Sequence, residues 1–252
     1  MVTSYAVPAL DKALDILELL ARQSGGLGQA PLAEAVGRTV GEIFRVLQTL
    51  ERRGFILRDA QSGLYLLSTR MLELANLHPP LRGLVQLALG PMQRLADAAR
   101  QSCNLAILEG VTVRVVAQVE SPADFGFRVR VGAGFPSEST ASGLVLLAFA
   151  EPDSRAAARA ELSARGVEPA ALAALDARIT AAQARGYAED PDARQPGILD
   201  IVHPVYGRDG HAVAALTVPY VSTSYSDSDA PAVRTLAAGT AAELSRLVQG
   251  GA

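Results

Sequence analysis

The sequence predicts an α+β chain in two parts, a small helical head with a two-stranded hairpin followed by a larger mixed domain around one antiparallel sheet. Three observations carry this prediction. Residues 31–68 place two helical patterns and a hairpin pattern in immediate succession. His78-Pro79-Pro80 then interrupts the helical periodicity, because proline lacks an amide donor and restricts the residue before it. Beyond it, β-branched runs alternate with helical stretches without strict β-α-β order, which favours an antiparallel sheet over a doubly wound one.

The head opens with Pro8-Ala-Leu-Asp-Lys-Ala-Leu-Asp-Ile-Leu-Glu-Leu-Leu-Ala21. Proline suits a helix start, and Leu10, Ala13, Leu14, Leu17 and Leu20 recur at helical spacing until Gly25-Gly26. Pro31-Leu-Ala-Glu-Ala-Val-Gly37 is a second helix, and Arg38-Thr39-Val40 a tight turn. In the third helix, through Arg53-Gly54, Ile43, Val46, Leu47 and Leu50 form the inward stripe. Gly41, Arg45, Gln48 and Arg52 lie opposite, flanked by Glu42, Phe44 and Thr49. Phe55-Ile-Leu-Arg58 and Leu64-Tyr-Leu-Leu67, joined by Asp59-Ala-Gln-Ser-Gly63, are the strands of a β-wing. A helix-turn-helix with a wing points to double-stranded DNA as the partner.

The periodicity places a linker helix at residues 69–77, so the expected division is a winged helix-turn-helix at 1–68, linker and boundary at 69–80, and a second domain at 81–252. In the second domain, residues 81–101 read as a helix kinked or split by Pro91. Residues 103–108, 111–119 and 127–131 read as strands, and 139–149 and 168–185 as helices. Residues 199–206 and 211–218 form a hairpin around Arg208-Asp-Gly210, and 227–248 a closing helix.

Composition bounds the function. The 252 residues carry a net charge of −3, which excludes a protein that coats nucleic acid indiscriminately but not a specific reader. Residues 1–77 hold eight basic and eight acidic side chains, yet within 38–58 Arg38, Arg45, Arg52, Arg53 and Arg58 face only Glu42 and Glu51. The local excess is three positive charges. No apolar run approaches the ~18 residues of a membrane helix, and Met1 to Pro8 lacks a signal-peptide pattern, so a cytoplasmic protein is expected. One cysteine, Cys103, excludes an internal disulfide framework and suits a buried inert thiol.

On the third helix, Arg45 is the best candidate for bidentate contact with guanine and Gln48 for adenine, while Glu42 could accept from cytosine. Arg52, Arg53 and Arg58 suit phosphates. Phe44 reads either as core or as a base or sugar contact. No catalytic constellation emerges. Gly132-Ala-Gly134 lacks the lysine of a phosphate loop, Thr140-Ala-Ser-Gly-Leu144 is not a nucleophile elbow, and three histidines offer no metal site. No cofactor is expected, and a non-enzyme is the preferred class. The rival is a small-molecule-converting α+β enzyme that uses the winged helix as an interaction platform. A winged helix used for dimerisation without DNA is a third possibility.

Five stretches in order resemble the IclR family of bacterial transcriptional regulators over essentially the whole chain. They are Ala13-Leu-Asp-Ile-Leu-Glu-Leu-Leu20, Ile43-Phe-Arg-Val-Leu-Gln-Thr-Leu-Glu51, Ser139-Thr-Ala-Ser-Gly-Leu-Val-Leu-Leu-Ala-Phe149, Arg185-Gly-Tyr-Ala-Glu-Asp190 and Pro204-Val-Tyr-Gly-Arg-Asp-Gly-His-Ala-Val-Ala-Ala-Leu216. The resemblance implies a winged helix joined by a linker helix to a GAF-like effector-binding domain. It also implies dimers through the head, often tetramers through the second domain, and control of a catabolic operon, with repression relieved by effector the commoner sign. Arg38, Glu42, Phe44, Arg45, Gln48, Thr49, Arg52 and Arg58 are the implied DNA-facing set. The effector pocket is implied at Thr140, Ala141, Ser142, Gly143, Asp190, position 200, Thr217 and Pro219. The chain departs from the family at Gly41 and Glu42, where Ser or Thr is usual, and at Asp200, where Cys is usual. Those departures bear on the operator and the effector.

Two acids facing one cavity favour an effector that presents donors (an amine, amide, hydrazide, phenol or polyol). Phe125, Phe127, Phe135 and Tyr187 could supply an aromatic-tolerant wall. The alternative is that Asp200 pairs internally with Arg194, Arg128 or Arg130. Strand alternation puts Thr217 and Pro219 on one face, and Asp200 and His203 on opposite faces.

Overall fold

The computed structural model describes residues 7–77, 79–124, 126–192, 195–222 and 228–250. Backbone contacts divide the chain into two compact units, residues 1–82 and 83–252.

In the first unit α1 (Pro8–Ala21), α2 (Gln29–Ala35) and α3 (Val40–Arg52) precede a hairpin of β1 (Ile56–Arg58) and β2 (Tyr65–Leu67), and then α4 (Arg70–Leu77). Ile16, Leu20, Leu32, Ile43, Leu47, Leu50, Ile56 and Tyr65 make the core. The expected inward stripe of α3 is therefore present, with Val46 half-buried. The expected stripe of α1 holds in part, with Leu20 in the core and Ala13 and Leu17 packed against it. Ile16 and Leu20 are buried, whereas Leu10 and Leu14 stay exposed, because α3 and the hairpin pack only the Ile16 side. Two glycines set the turns. Gly37 and Gly54 take φ of +63° and +75°, and the amides that follow, Arg38 N and Phe55 N, reach back to the Ala33 and Leu50 carbonyls. These are Schellman endings, which let α2 and α3 stop within one residue.

The second unit is built on a six-stranded sheet in the order β5-β4-β3-β8-β7-β6, with every neighbouring pair antiparallel. Its strands are β3 (Cys103–Glu109), β4 (Thr112–Val119), β5 (Gly134–Pro136), β6 (Ala188–Pro191), β7 (Ile198–Tyr206) and β8 (Ala212–Val221). Helices cover both faces. Leu105, Ile201, Leu216 and Val218 pack against α5 (Pro79–Ala99) and α9 (Ala230–Gly250). Ala106, Val113, Val202 and Ala215 pack against α6 (Ala141–Ala148), α7 (Pro152–Ala164) and α8 (Pro169–Arg185). Alternation along each strand sends successive side chains to opposite layers, so the sheet reads apolar on both sides.

Several sequence expectations change here. Pro79 and Pro80 open α5 instead of standing in a loop, since the first helical turn needs no proline donor. Pro91 neither ends nor splits α5, which runs on to Ala99. Residues 127–131 form no strand. Gly132, at φ +86°, turns the chain so that Gly134–Pro136, not residues 127–131, pairs with β4. Strands β5 and β6 and helix α7 had no clear signal, the strands being too short for periodicity to register.

Candidate functional site

Two sites can be built from the residues upward. In the head, α3 begins at a capping box. The Thr39 side chain accepts from Glu42 N, while Glu42 Oε2 accepts from Thr39 N and Thr39 Oγ1, both at 2.9 Å. Glu42 Oε1 meets Lys12 Nζ of α1 at 3.0 Å. The Thr39 amide and hydroxyl and the Lys12 ammonium hold the Glu42 carboxyl down to about 2. Glu42 thus caps the helix start and ties α1 to α3, roles that compete with the one expected for it as a cytosine acceptor. Glu42 is the usual capping-box residue type three positions after Thr, a sequence signal present but unread. A folded-state pKa below the unfolded one gives stability present above about 4.5 and lost as pH falls toward 2. In Glu42→Gln, that acid limb should flatten in thermal melts between pH 5 and 2, with a lower midpoint at neutral pH.

The outward face of α3 keeps Arg45, Gln48 and Arg52 exposed, with Arg38 exposed just before the cap. Thr49 Oγ1 donates to the Arg45 carbonyl at 2.9 Å, so its hydroxyl is partly occupied locally. Phe44 is 46% exposed. That removes the core alternative and leaves an aromatic ring beside the arginines. Gly41 is also exposed, with open space where a Cβ would stand, so packing does not require glycine there. In the wing, Arg58 lies over the Tyr65 ring at 5.5 Å, across the strand pair that joins them. Asp59 Oδ1 accepts from Gln61 N, Ser62 N and Ser62 Oγ and closes the tip.

The second site is a cavity of about 220 Å³ on the α6–α8 face of the sheet. The register brings its acids together, because Asp190 on β6 pairs with Asp200 on β7, and Asp200 pairs with Pro219 on β8. Thr217, two residues from Pro219, is opposite Asn104 on β3. Thr140 and Ser142 at the start of α6, with Ala141 between them, complete the polar wall, and Val113, Val115, Phe127, Val129 and Phe135 the apolar one. Helix α6 is aimed by Thr140, whose hydroxyl accepts from Gly143 N at 3.1 Å, and by the Ser142–Thr217 hydroxyl contact at 2.9 Å.

Gly143 itself does not line the cavity, a correction to the expected set. It presses on the backbone of Ser137 in the 3-10 turn at Ser137–Ser139 and lets α6 approach. Tyr187 is also elsewhere. It stacks on buried His203 at 5.3 Å, between the Arg185 and Arg234 guanidinium groups, on the opposite face as alternation required. Burial, opposed by Glu189, holds the His203 imidazole down to about 4. Phe125 and Arg194 lie outside the described residues. Residues that the sequence did not suggest enter the wall: Asn104, Arg178, Asp192 and Gln195.

The cavity electrostatics are uneven. Asp190 is matched by Arg178 at 3.0 Å, and Asp192 accepts from Gln195 N at 2.9 Å. Arg128 pairs with Glu120 at 3.1 Å, not with Asp200. Burial and then the charges of Asp192 and Asp190 push the Asp200 carboxyl up to about 7. The site therefore holds one carboxyl balanced between its two forms at neutral pH. Cys103 faces neither site. It is buried, its thiol lies against the Met92 carbonyl, and burial pushes it up to about 12.

Comparison with known proteins places both sites in a family. The model described as bacterial transcriptional regulator IclR C-terminal matches residues 81–246, and the IclR helix-turn-helix domain matches residues 9–60. The glycerol operon regulatory protein of Streptomyces griseus is 31% identical over 215 residues, 84% of each chain. Among solved structures, the Thermotoga maritima IclR superposes with a TM-score of 0.75 at 21% identity, covering 95% of this chain and 98% of that one. An IclR homolog from Microbacterium hydrocarbonoxydans complexed with 4-hydroxybenzoate gives 0.77 at 21% identity, with the same coverage. A DNA-reading head, a ligand-sized cavity in the second unit and family models spanning both make this chain a member of the IclR family of ligand-responsive, DNA-binding transcriptional regulators.

Proposed function

We propose that this regulator reads double-stranded operator DNA as a homodimer, represses a catabolic operon in the cytoplasm, and is released when a small molecule occupies the sheet cavity. The exposed row of Arg45, Gln48 and Arg52 on α3 carries this proposal. The row joins donors that read base edges to charges that hold phosphates, and Glu42 is tied up beside it. The name of the Streptomyces griseus relative supports a catabolic operon, and the bound 4-hydroxybenzoate in the structural neighbour supports an effector of one-ring size. The cavity wall favours donor-bearing effectors with an aromatic or apolar body.

Fluorescence anisotropy with duplex DNA from upstream of the gene, titrated over a salt range, tests the DNA part. Sequence-preferring binding whose log affinity falls linearly with log salt supports it; binding insensitive to salt and sequence overturns it. Assembly has its own observation. Leu10 and Leu14 on α1, with Val7 at its N-cap, are exposed at seam spacing, which is the pattern of a helix that packs on another helix. Leu10→Glu with Leu14→Glu should halve the mass seen by light scattering if the head dimerises there and nothing else holds the copies. An enzyme would share one feature, the Asp200 carboxyl near neutrality; a sensor returns its ligand unchanged after hours of incubation.

A further inference from the structure

We propose that the cavity selects an organic cation, a small molecule whose protonated amine sits against Asp200 and whose unsaturated body lies along Phe127 and Phe135. This rests on the cavity being the effector site and names the class of ligand it takes.

The first observation is the unequal pairing of three carboxylates. Asp190 and Asp200 stand on adjacent strands in register, roughly 5 Å apart by strand spacing, and Asp192 lines the same space. Asp190 has Arg178 and Asp192 has the Gln195 amide. Among the described residues no cation reaches Asp200. Across from it on β8 stands Pro219, which brings no charge and no amide hydrogen. Among the described residues the charged groups facing Asp200 are Asp190 and Asp192 from the β6 side and Arg178 from α8, already held by Asp190. A ligand carboxylate would enter against this charge, whereas an ammonium would supply a partner that none of the described residues provides.

The second observation is independent of the acids. Asn104 is 4% exposed and lines the cavity, yet among the described residues its carboxamide has no hydrogen-bond partner. Its carboxamide opens into the cavity, where a hydroxyl or carbonyl that enters can hydrogen-bond to it. Asn104 and Asp200 are separated by β8, so the two polar demands lie at two ends of one space. The occupant should be bipolar, with an ammonium at Asp200 and a hydroxyl or carbonyl at Asn104.

Phe127 and Phe135, on the apolar wall, offer a surface for the unsaturated body of such a molecule. A metal ion is the wrong occupant. Among the described residues no group of three His, Cys, Asp or Glu side chains is placed to hold one. About 220 Å³ equals the liquid volume of roughly seven waters, which suits a molecule of one ring.

The test uses the full chain and three matched probes: 4-hydroxybenzylamine, 4-hydroxybenzyl alcohol and 4-hydroxybenzoate. Titration calorimetry at pH 7.5 should rank the amine at least about tenfold tighter than the carboxylate. In buffers of different ionisation enthalpy at pH 7, amine binding should release up to about half a proton per site as Asp200 ionises fully. Asp200→Asn, nearly isosteric, should weaken the amine at least about tenfold, abolish the proton release, and change the alcohol little. Asp200→Cys gives the same loss by a second route should the first variant fold poorly. Carboxylate binding as tight as amine binding, no amine binding at millimolar concentration, or amine affinity unchanged in both variants overturns the proposal.

Operator affinity, read by anisotropy with each probe present, separates the two levels. DNA release by the carboxylate alone overturns the cation and keeps the effector site. Asp200-dependent amine binding that leaves DNA affinity unchanged supports the cation and overturns the effector site.

Discussion

Gly143→Ala is expected to cost the second domain about 3 kcal/mol or more in urea unfolding, the top of the range for overpacked sites. The added Cβ would stand 2.1 Å from the Ser137 carbonyl oxygen and 2.5 Å from its Cα. Those are backbone atoms, so no side chain can swing away. Ser137 is fully buried, and the turn that carries it continues into Ser139 and Thr140 of the cavity wall. Relief requires α6 and the turn to separate, which strains the Thr140 cap on Gly143 N and the Ser142–Thr217 contact. The variant should therefore lose ligand binding along with stability. A melting midpoint within about 2 °C of wild type would mean that α6 approaches the turn less closely than described, since 1 kcal/mol moves a domain of this size by about 2–4 °C.

Arg45→Ala is expected to weaken binding to the upstream duplex by roughly 10- to 100-fold, corresponding to about 1–3 kcal/mol for a base-reading arginine. Arg45 is exposed on the outward face of α3, one turn from both Gln48 and Thr49, and makes no side-chain ion pair with Glu42, which is held by Thr39 and Lys12. Its loss should relax sequence preference. Arg52→Ala or Arg58→Ala should instead weaken all duplexes alike and reduce the salt slope by about one. Equal effects of Arg45→Ala on cognate and random duplex would place Arg45 on phosphate rather than on a base. An unaltered affinity would mean that α3 does not face DNA.

The head was largely legible in the sequence because its determinants are local. Helix α3 carries Ile43, Leu47 and Leu50 at helical spacing, Gly37 and Gly54 sit where helices must stop, and Asp59 to Gly63 spells a turn. Such patterns act over four or five residues. What misled was the choice between two apolar faces on α1. Leu10 and Leu14 continue the periodicity of Ala13, Leu17 and Leu20, and only the neighbours that pack decide that Ile16 is inside and they are not. Glu42 misled for a related reason: a charge next to arginines reads as surface chemistry until the cap and Lys12 are seen to use both of its oxygens.

By itself the sequence determined the family, the α+β class, the antiparallel hairpin at residues 199–218 and the acid at position 200. Tertiary structure alone decided what surrounds that acid. Asn104 and Arg178 come from a strand and a helix distant in sequence, Asp192 from the near end of β6, and all reach Asp200 only through β-sheet register and the packing of α8 on α6. No local pattern encodes such neighbours, because the free energy that selects them belongs to the whole core. The ionisation of Asp200 follows from them, since burial and two nearby carboxylates oppose its charge while the one described guanidinium beside it is held by Asp190.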